Sequence, residues 1–98
     1  MNYTLIVGED AEADLAEAKD WYERQRPGLS ADFLANVEKV FERLRKTPLM
    51  HAEIYKDARR AVVRRFPYVV YYRMEDDVVA ILAVVRGGRN PYLIVVTA

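Results

Sequence analysis

The 98-residue sequence predicts an α+β domain with a helical hairpin packed on one face of a small, mainly antiparallel sheet, in the order β-α-α-β-β-β. Three observations predict it. Apolar residues recur at helical spacing through two adjacent segments between residues 9 and 46. From about residue 59 the period changes to two. A lone β-branched and aromatic run precedes the first helix.

That run is "YTLIV", residues 3–7, and reads as the first strand. In residues 9–26, Ala11, Leu15, Ala18 and Tyr22 make one apolar face, with acidic side chains crowding the first turns as the helix dipole prefers. Pro27-Gly28 ends this helix, and Ser30 is the expected N-cap of the next, residues 31–46. Phe33, Val37, Val40, Phe41 and Leu44 form its stripe. Arg43, Arg45 and Lys46 occupy its last turn, and Thr47-Pro48 stops it. The short link makes the two helices an antiparallel pair.

Residues 49–58 read as a loop with a brief strand near 53–55, followed by strands 59–66, 68–74 and 78–85. An acidic turn, Glu75-Asp76-Asp77, joins the last two. Both alternating sets of the last strand are apolar: Val78, Ala80, Leu82, Val84 and Val79, Ile81, Ala83, Val85. Such a strand belongs inside a sheet, covered on both sides. The tail 92–98, "YLIVVTA", is apolar too, and either returns as a further strand or leaves an edge for a partner.

Composition narrows the function classes. The length allows one domain, 1–98, with a single modest core. There is no cysteine, so thiolate chemistry is excluded and a cytoplasmic setting is expected. No apolar run is long enough to span a membrane. One histidine without cysteine cannot build a soft-metal site, so neither metal nor cofactor is expected. A serine triad would need Ser30, already assigned to a cap. Gly87-Gly88 follows a strand but leads into no phosphate-binding helix. The first helix's carboxylates read as a solvated face.

The formal net charge is zero, yet residues 1–40 carry four basic and nine acidic side chains while 41–98 carry eleven and six, nets of −5 and +5. The basic character concentrates in "RRAVVRR". As a strand it would put Arg59 and Arg65 on one face with Ala61 and Val63, and Arg60 and Arg64 on the other with Val62. It is either a solubilising strand pairing with the acidic first helix or a contact surface for an anionic partner. Trp21 and Tyr22 beside Phe33 read as core between the helices. His51 reads as a surface loop residue. Arg86 and Arg89, at a strand end around a Gly pair, are the better-placed functional arginines.

"WYERQRPGL" followed by "FL", then "VRRFPYVVYY", the acidic turn and "ILAVV", resemble in order and spacing the ParE branch of the RelE/ParE toxin superfamily, from about Leu5 to Pro91. The resemblance implies a small bacterial toxin of a type II toxin–antitoxin pair. It implies a hetero-oligomer with an antitoxin whose flexible C-terminal segment wraps the toxin, and contact with operator DNA only through that antitoxin. ParE-like members poison DNA gyrase by protein–protein binding. RelE-like members cleave mRNA in the ribosome.

Two departures bear on that choice. The residue after Tyr68 is Val69, where RelE-like chains place arginine. The C-terminal pattern His-Gly-basic-Arg-Asp-Pro stands here as Arg86, Gly87, Gly88, Arg89, Asn90 and Pro91, with Ile94 near the usual tryptophan. The resemblance therefore implies a gyrase poison rather than an enzyme, with Arg59, Arg60, Arg64, Arg65, Arg86, Arg89 and Tyr92 as antitoxin or target contacts. The alternatives are a RelE-type endoribonuclease and a non-toxic antitoxin-binding module. In the endoribonuclease, Arg65, Arg86 and Arg89 would stabilise the phosphate and Tyr92 or His51 would transfer protons.

Overall fold

A five-stranded sheet carries two helices on one face. Its strands are β1 (Thr4–Val7), β2 (Glu53–Tyr55), β3 (Ala58–Val62), β4 (Tyr68–Glu75) and β5 (Val78–Arg86), in the spatial order β1-β5-β4-β3-β2. The helices are α1 (Glu9–Gln25) and α2 (Leu29–Lys46), and a 3₁₀ turn, Pro48–Met50, follows α2. This computed structural model describes residues 2–87, so the apolar tail, Arg89 and Tyr92 lie outside the described residues. Strands β2 to β5 pair antiparallel, whereas β1 lies parallel to β5. The expected α+β architecture holds, with β5 in the sheet interior.

The hairpin of helices forms differently from the expectation at Ser30. Gly28 sits in the left-handed region at φ 89°, a conformation that favours glycine, and α2 begins at the next residue. Ser30 therefore lies inside the first turn and is not the cap. Its hydroxyl donates to Glu23 Oε1 at 2.6 Å, and the Gly28 N–H donates to the same carboxylate at 3.1 Å. Glu23 of α1 thus caps α2 from the preceding helix. The Ser30 hydroxyl first, then the Gly28 and Ser30 N–H groups, hold its carboxyl below the ordinary range.

The α2 stripe read from sequence is the core. Phe33, Val37, Val40, Phe41 and Leu44 are all buried, against Ala11, Ala18 and Tyr22 of α1 and Ala61, Val63, Val70, Tyr72, Val79, Ile81 and Val84 of the sheet side. A smaller cluster, Val69, Tyr71 and Ala83 with Ile54 and Val85, occupies the opposite sheet face. The strict alternation expected for β5 breaks once. Tyr72 pairs with Ile81 but Tyr71 pairs with Ala83, leaving Leu82 as a bulge. Val84 consequently joins Val79 and Ile81 on the helix side.

β3 ends earlier than the expected 59–66. Arg59 and Ala61 share one face and Arg60 and Val62 the other, as the alternation requires, but Arg64 and Arg65 fall in the turn to β4. Arg65 adopts φ 70°, a left-handed conformation incompatible with a continuing strand. Phe66 then turns inward against Tyr22 and Phe33.

Candidate functional site

A cleft of about 440 Å³ opens between α1 and the end of β5. Asp14, Glu17, Ala18, Trp21 and Arg24 line one wall; Tyr68, Val84, Val85 and Arg86 line the other. Its position follows from the length of β1. Val7 pairs with Ile81, and the chain leaves the sheet at Gly8, whose N–H donates to the Ile81 carbonyl at 3.0 Å. A Cβ at Gly8 would lie 3.0 Å from that carbonyl oxygen, tighter than ordinary side chains tolerate, so glycine permits the close departure. α1 then runs on where β1 would have continued.

The walls differ in charge along their length. At one end stand Asp14 and Glu17, and Asp14 Oδ2 accepts the Val84 backbone N–H at 3.0 Å. That carboxylate is therefore not part of a merely solvated face, as the sequence reading had it. At the other end stand Arg24 and Arg86. The Arg86 guanidinium lies 5.4 Å from the Trp21 ring centroid and 5.8 Å from that of Tyr68, within cation–π reach of both. Trp21 is 41% exposed while Tyr22 is buried, so only the second of this pair is core as expected.

Tyr22, Phe33, Phe66 and Tyr68 form an aromatic cluster beneath, with ring centroids 5.0–5.9 Å apart. They give Trp21 and Arg86 a rigid floor, since packed rings have few alternative rotamers. Burial, and then Tyr68, raise the Tyr22 hydroxyl above its ordinary pKa, while Arg86 opposes them.

The candidate residues from the sequence divide into separate groups. Arg86 is in the cleft. Arg64 and Arg65 are exposed in the turn at the same end of the sheet, where the Gly87 N–H donates to the Pro67 carbonyl at 2.7 Å. Arg60 is exposed on the sheet face away from the helices, opposite Tyr71.

Arg59 is committed elsewhere. It donates to the His51 carbonyl and pairs with Glu53 at 3.3 Å rather than with the first helix. His51 is half-buried, not a free surface residue, and its ring stands edge-on to Tyr72 at 6.2 Å. Burial first, then Arg43 and Arg59, hold its pKa below the usual histidine value. Tyr72 and Tyr68, the β4 partners of Arg59 and Arg86, are four residues apart, about 13 Å of strand. His51 and Arg86 are not brought together.

Sequence reasoning missed Asp14, Glu17, Trp21 and Arg24. The signal was a second α1 stripe beside the apolar one, Asp14, Ala18 and Trp21 at i, i+4 and i+7. Among the described residues no group of three or more metal-binding side chains occurs, and no helix is long and apolar enough to cross a membrane.

Comparison with known proteins gives the family. Residues 5–91 match the family described as the ParE toxin of the type II toxin–antitoxin system parDE. Toxin ParE2 of Mycobacterium tuberculosis, from both the CDC 1551 and H37Rv strains, is 37% identical over 93 residues, covering 93% of this chain and 88% of the relative. The chromosomal ParDE system from P. aeruginosa shares the fold, with a TM-score of 0.76 at 19% identity over 86% of this chain and 95% of that one. The toxin–antitoxin complex RelBE2 from M. tuberculosis matches with a TM-score of 0.62 at 27% identity, over 88% and 99%. With this fold, and a family match that takes in both helices, strands β2 to β5 and all but the first residue of β1, the chain belongs to the ParE toxin family of type II toxin–antitoxin systems.

Proposed function

We propose that this toxin acts in the cytoplasm by binding DNA gyrase, and that the flexible C-terminal segment of its cognate antitoxin holds it inactive in a hetero-oligomer. Operator DNA is then contacted through the antitoxin alone. Family membership supports the toxin role and an antitoxin partner. The observation that carries gyrase over the ribosome is the dispersal of titratable groups. Among the described residues the half-buried His51 stands by Tyr72 and Arg59, away from Arg86, so the histidine that a nuclease would use for proton transfer does not flank the exposed arginines of the cleft and turn. A neutral net charge also fits a protein target better than ribosomal RNA.

The likeness to the RelBE2 complex favours the second reading, a RelE-type endoribonuclease. There Arg65 and Arg86, at one end of the sheet, would face the phosphate. Purified chain, freed of antitoxin and mixed with gyrase and plasmid, distinguishes the two. The gyrase reading expects loss of supercoiling and trapped, cleaved DNA at stoichiometric toxin. Undisturbed supercoiling, with mRNA cut on translating ribosomes instead, overturns it.

A further inference from the structure

Two arginines share the sheet face away from the helices. Cross-strand partners lie on the same face, so Arg60 opposite Tyr71 and Ala58 opposite Arg73 join Val69 and Ala83 there. Arg60 and Arg73 are diagonal neighbours, about 7–8 Å apart, with the buried Tyr71 beside both. The cross-strand partners of Arg73 are Ala58 and Ala80, which offer its guanidinium no acceptor. Its Nε is buried with no hydrogen-bond partner among the described residues.

The chain has 15 carboxylate side chains, yet among the described residues neither Arg60 nor Arg73 makes an ion pair. Arg59, on the other face, does pair, with Glu53. A buried N–H left unmade and two neighbouring cations left uncompensated both cost stability. One anion bridging the two guanidiniums removes both costs, and the planar fork of arginine suits a carboxylate.

We propose that Arg60 and Arg73 together grip a carboxylate on an acidic segment of the target protein, with the exposed Val62 as the apolar contact beside it. This rests on the reading that the chain acts by binding gyrase, and assigns the face that meets it. Val62 is the next position on this face beyond Arg60 and is 56% exposed. Glu75 is the next beyond Arg73, about 7 Å along the strand, and is exposed too. A nucleic-acid backbone crossing Arg73 would bring its following phosphates against Glu75. A single carboxylate beside an apolar side chain meets neither obstacle, and that is protein chemistry.

The test titrates purified chain, freed of antitoxin, into a gyrase supercoiling assay. Arg60→Glu and Arg73→Gln should each raise the concentration for half-inhibition by about tenfold or more. Lys39→Glu, the same charge change as Arg60→Glu on an exposed position of α2, should move it by less than about twofold. Arg60 is exposed, so its variant should keep the urea midpoint of the parent chain. Arg73 is half-buried, so a footprint on the unaltered chain accompanies its variant. Bound gyrase should slow phenylglyoxal modification of Arg60 and Arg73, read by mass spectrometry, by about tenfold or more.

Full inhibition by both variants, or modification at the free rate in the gyrase complex, overturns the site and leaves the gyrase reading intact. An equal loss in Lys39→Glu overturns it as well, since net charge alone would then govern binding. A parent chain that does not inhibit gyrase removes the gyrase reading, and the site's occupant with it. Variants that inhibit gyrase like the parent but escape the coexpressed antitoxin would give this face to the antitoxin and overturn the assignment to the target.

Discussion

Phe33→Ala should lower the unfolding free energy by about 3–5 kcal/mol, the largest stability effect expected of any single change in this chain. Phe33 is fully buried and joins the helical hairpin to the β3–β4 turn. Its ring centroid lies 5.1 Å from Tyr22, 5.1 Å from Tyr68 and 5.3 Å from Phe66. Truncation removes the ring's transfer free energy and leaves a cavity that neighbouring rings cannot collapse into without leaving their rotamers. Small domains hold only about 5–15 kcal/mol in total, so the variant should be close to unfolding at physiological temperature. Urea titration reads the effect as a midpoint lowered by about 2 M at unchanged slope. A loss under about 1 kcal/mol would mean that the aromatic cluster is loosely packed.

The second large effect sets two buried tyrosines against each other. The Tyr72 hydroxyl donates to the Pro48 carbonyl at 2.5 Å and anchors the 3₁₀ turn after α2 to the sheet. Tyr72→Phe strands that carbonyl and should cost about 1–3 kcal/mol. The Tyr22 hydroxyl is buried with no hydrogen-bond partner among the described residues, so Tyr22→Phe should be neutral or stabilising by up to about 1 kcal/mol.

Alkali gives a further readout. Burial pushes the Tyr72 hydroxyl up to about 12 from 10.0, Arg59 opposing. A pKa raised on folding means that its contribution is complete below pH 10.0 and is lost as pH rises towards about 12. Tyr72→Phe should flatten that part of the alkaline limb. Equal costs for the two substitutions would contradict the assigned hydrogen bond.

Most of the fold was legible because periodicity reports burial directly. The spacing of Phe33, Val37, Val40 and Leu44 is the α2 core face, and the β-branched and aromatic run at 68–74 is β4, buried on both faces. What failed depended on residues distant in sequence. Ser30 has the composition of an N-cap, yet Glu23, seven residues earlier, caps α2 because Gly28 starts the helix sooner. "RRAVVRR" keeps a strand's alternation past Val62, but the αL backbone at Arg65 and the inward turn of Phe66 end the strand. The bulge at Leu82 leaves no trace in a strand apolar at every position.

The site was legible in part. Arg86 was singled out as a candidate from its place at a strand end, and the structure puts it over Trp21 in the cleft. Trp21 and Asp14 were misjudged because a helix pattern tells which side chains can face inward, not what the opposite wall is. That wall exists only because β1 is four residues long while β5 is nine. Charge counting gave the basic stretch but not its division. Arg59 is used within the fold, whereas Arg60, Arg64, Arg65 and Arg86 remain exposed.

The most direct measurement is pulse labelling of new DNA and new protein in bacteria, minutes after inducing this chain without its antitoxin. Gyrase poisoning predicts that DNA synthesis fails first, with DNA-damage induction and filamentation, and that coexpressed antitoxin restores it. Protein synthesis failing first, with mRNA cut at codons, would contradict the account, as would normal growth with both syntheses unchanged.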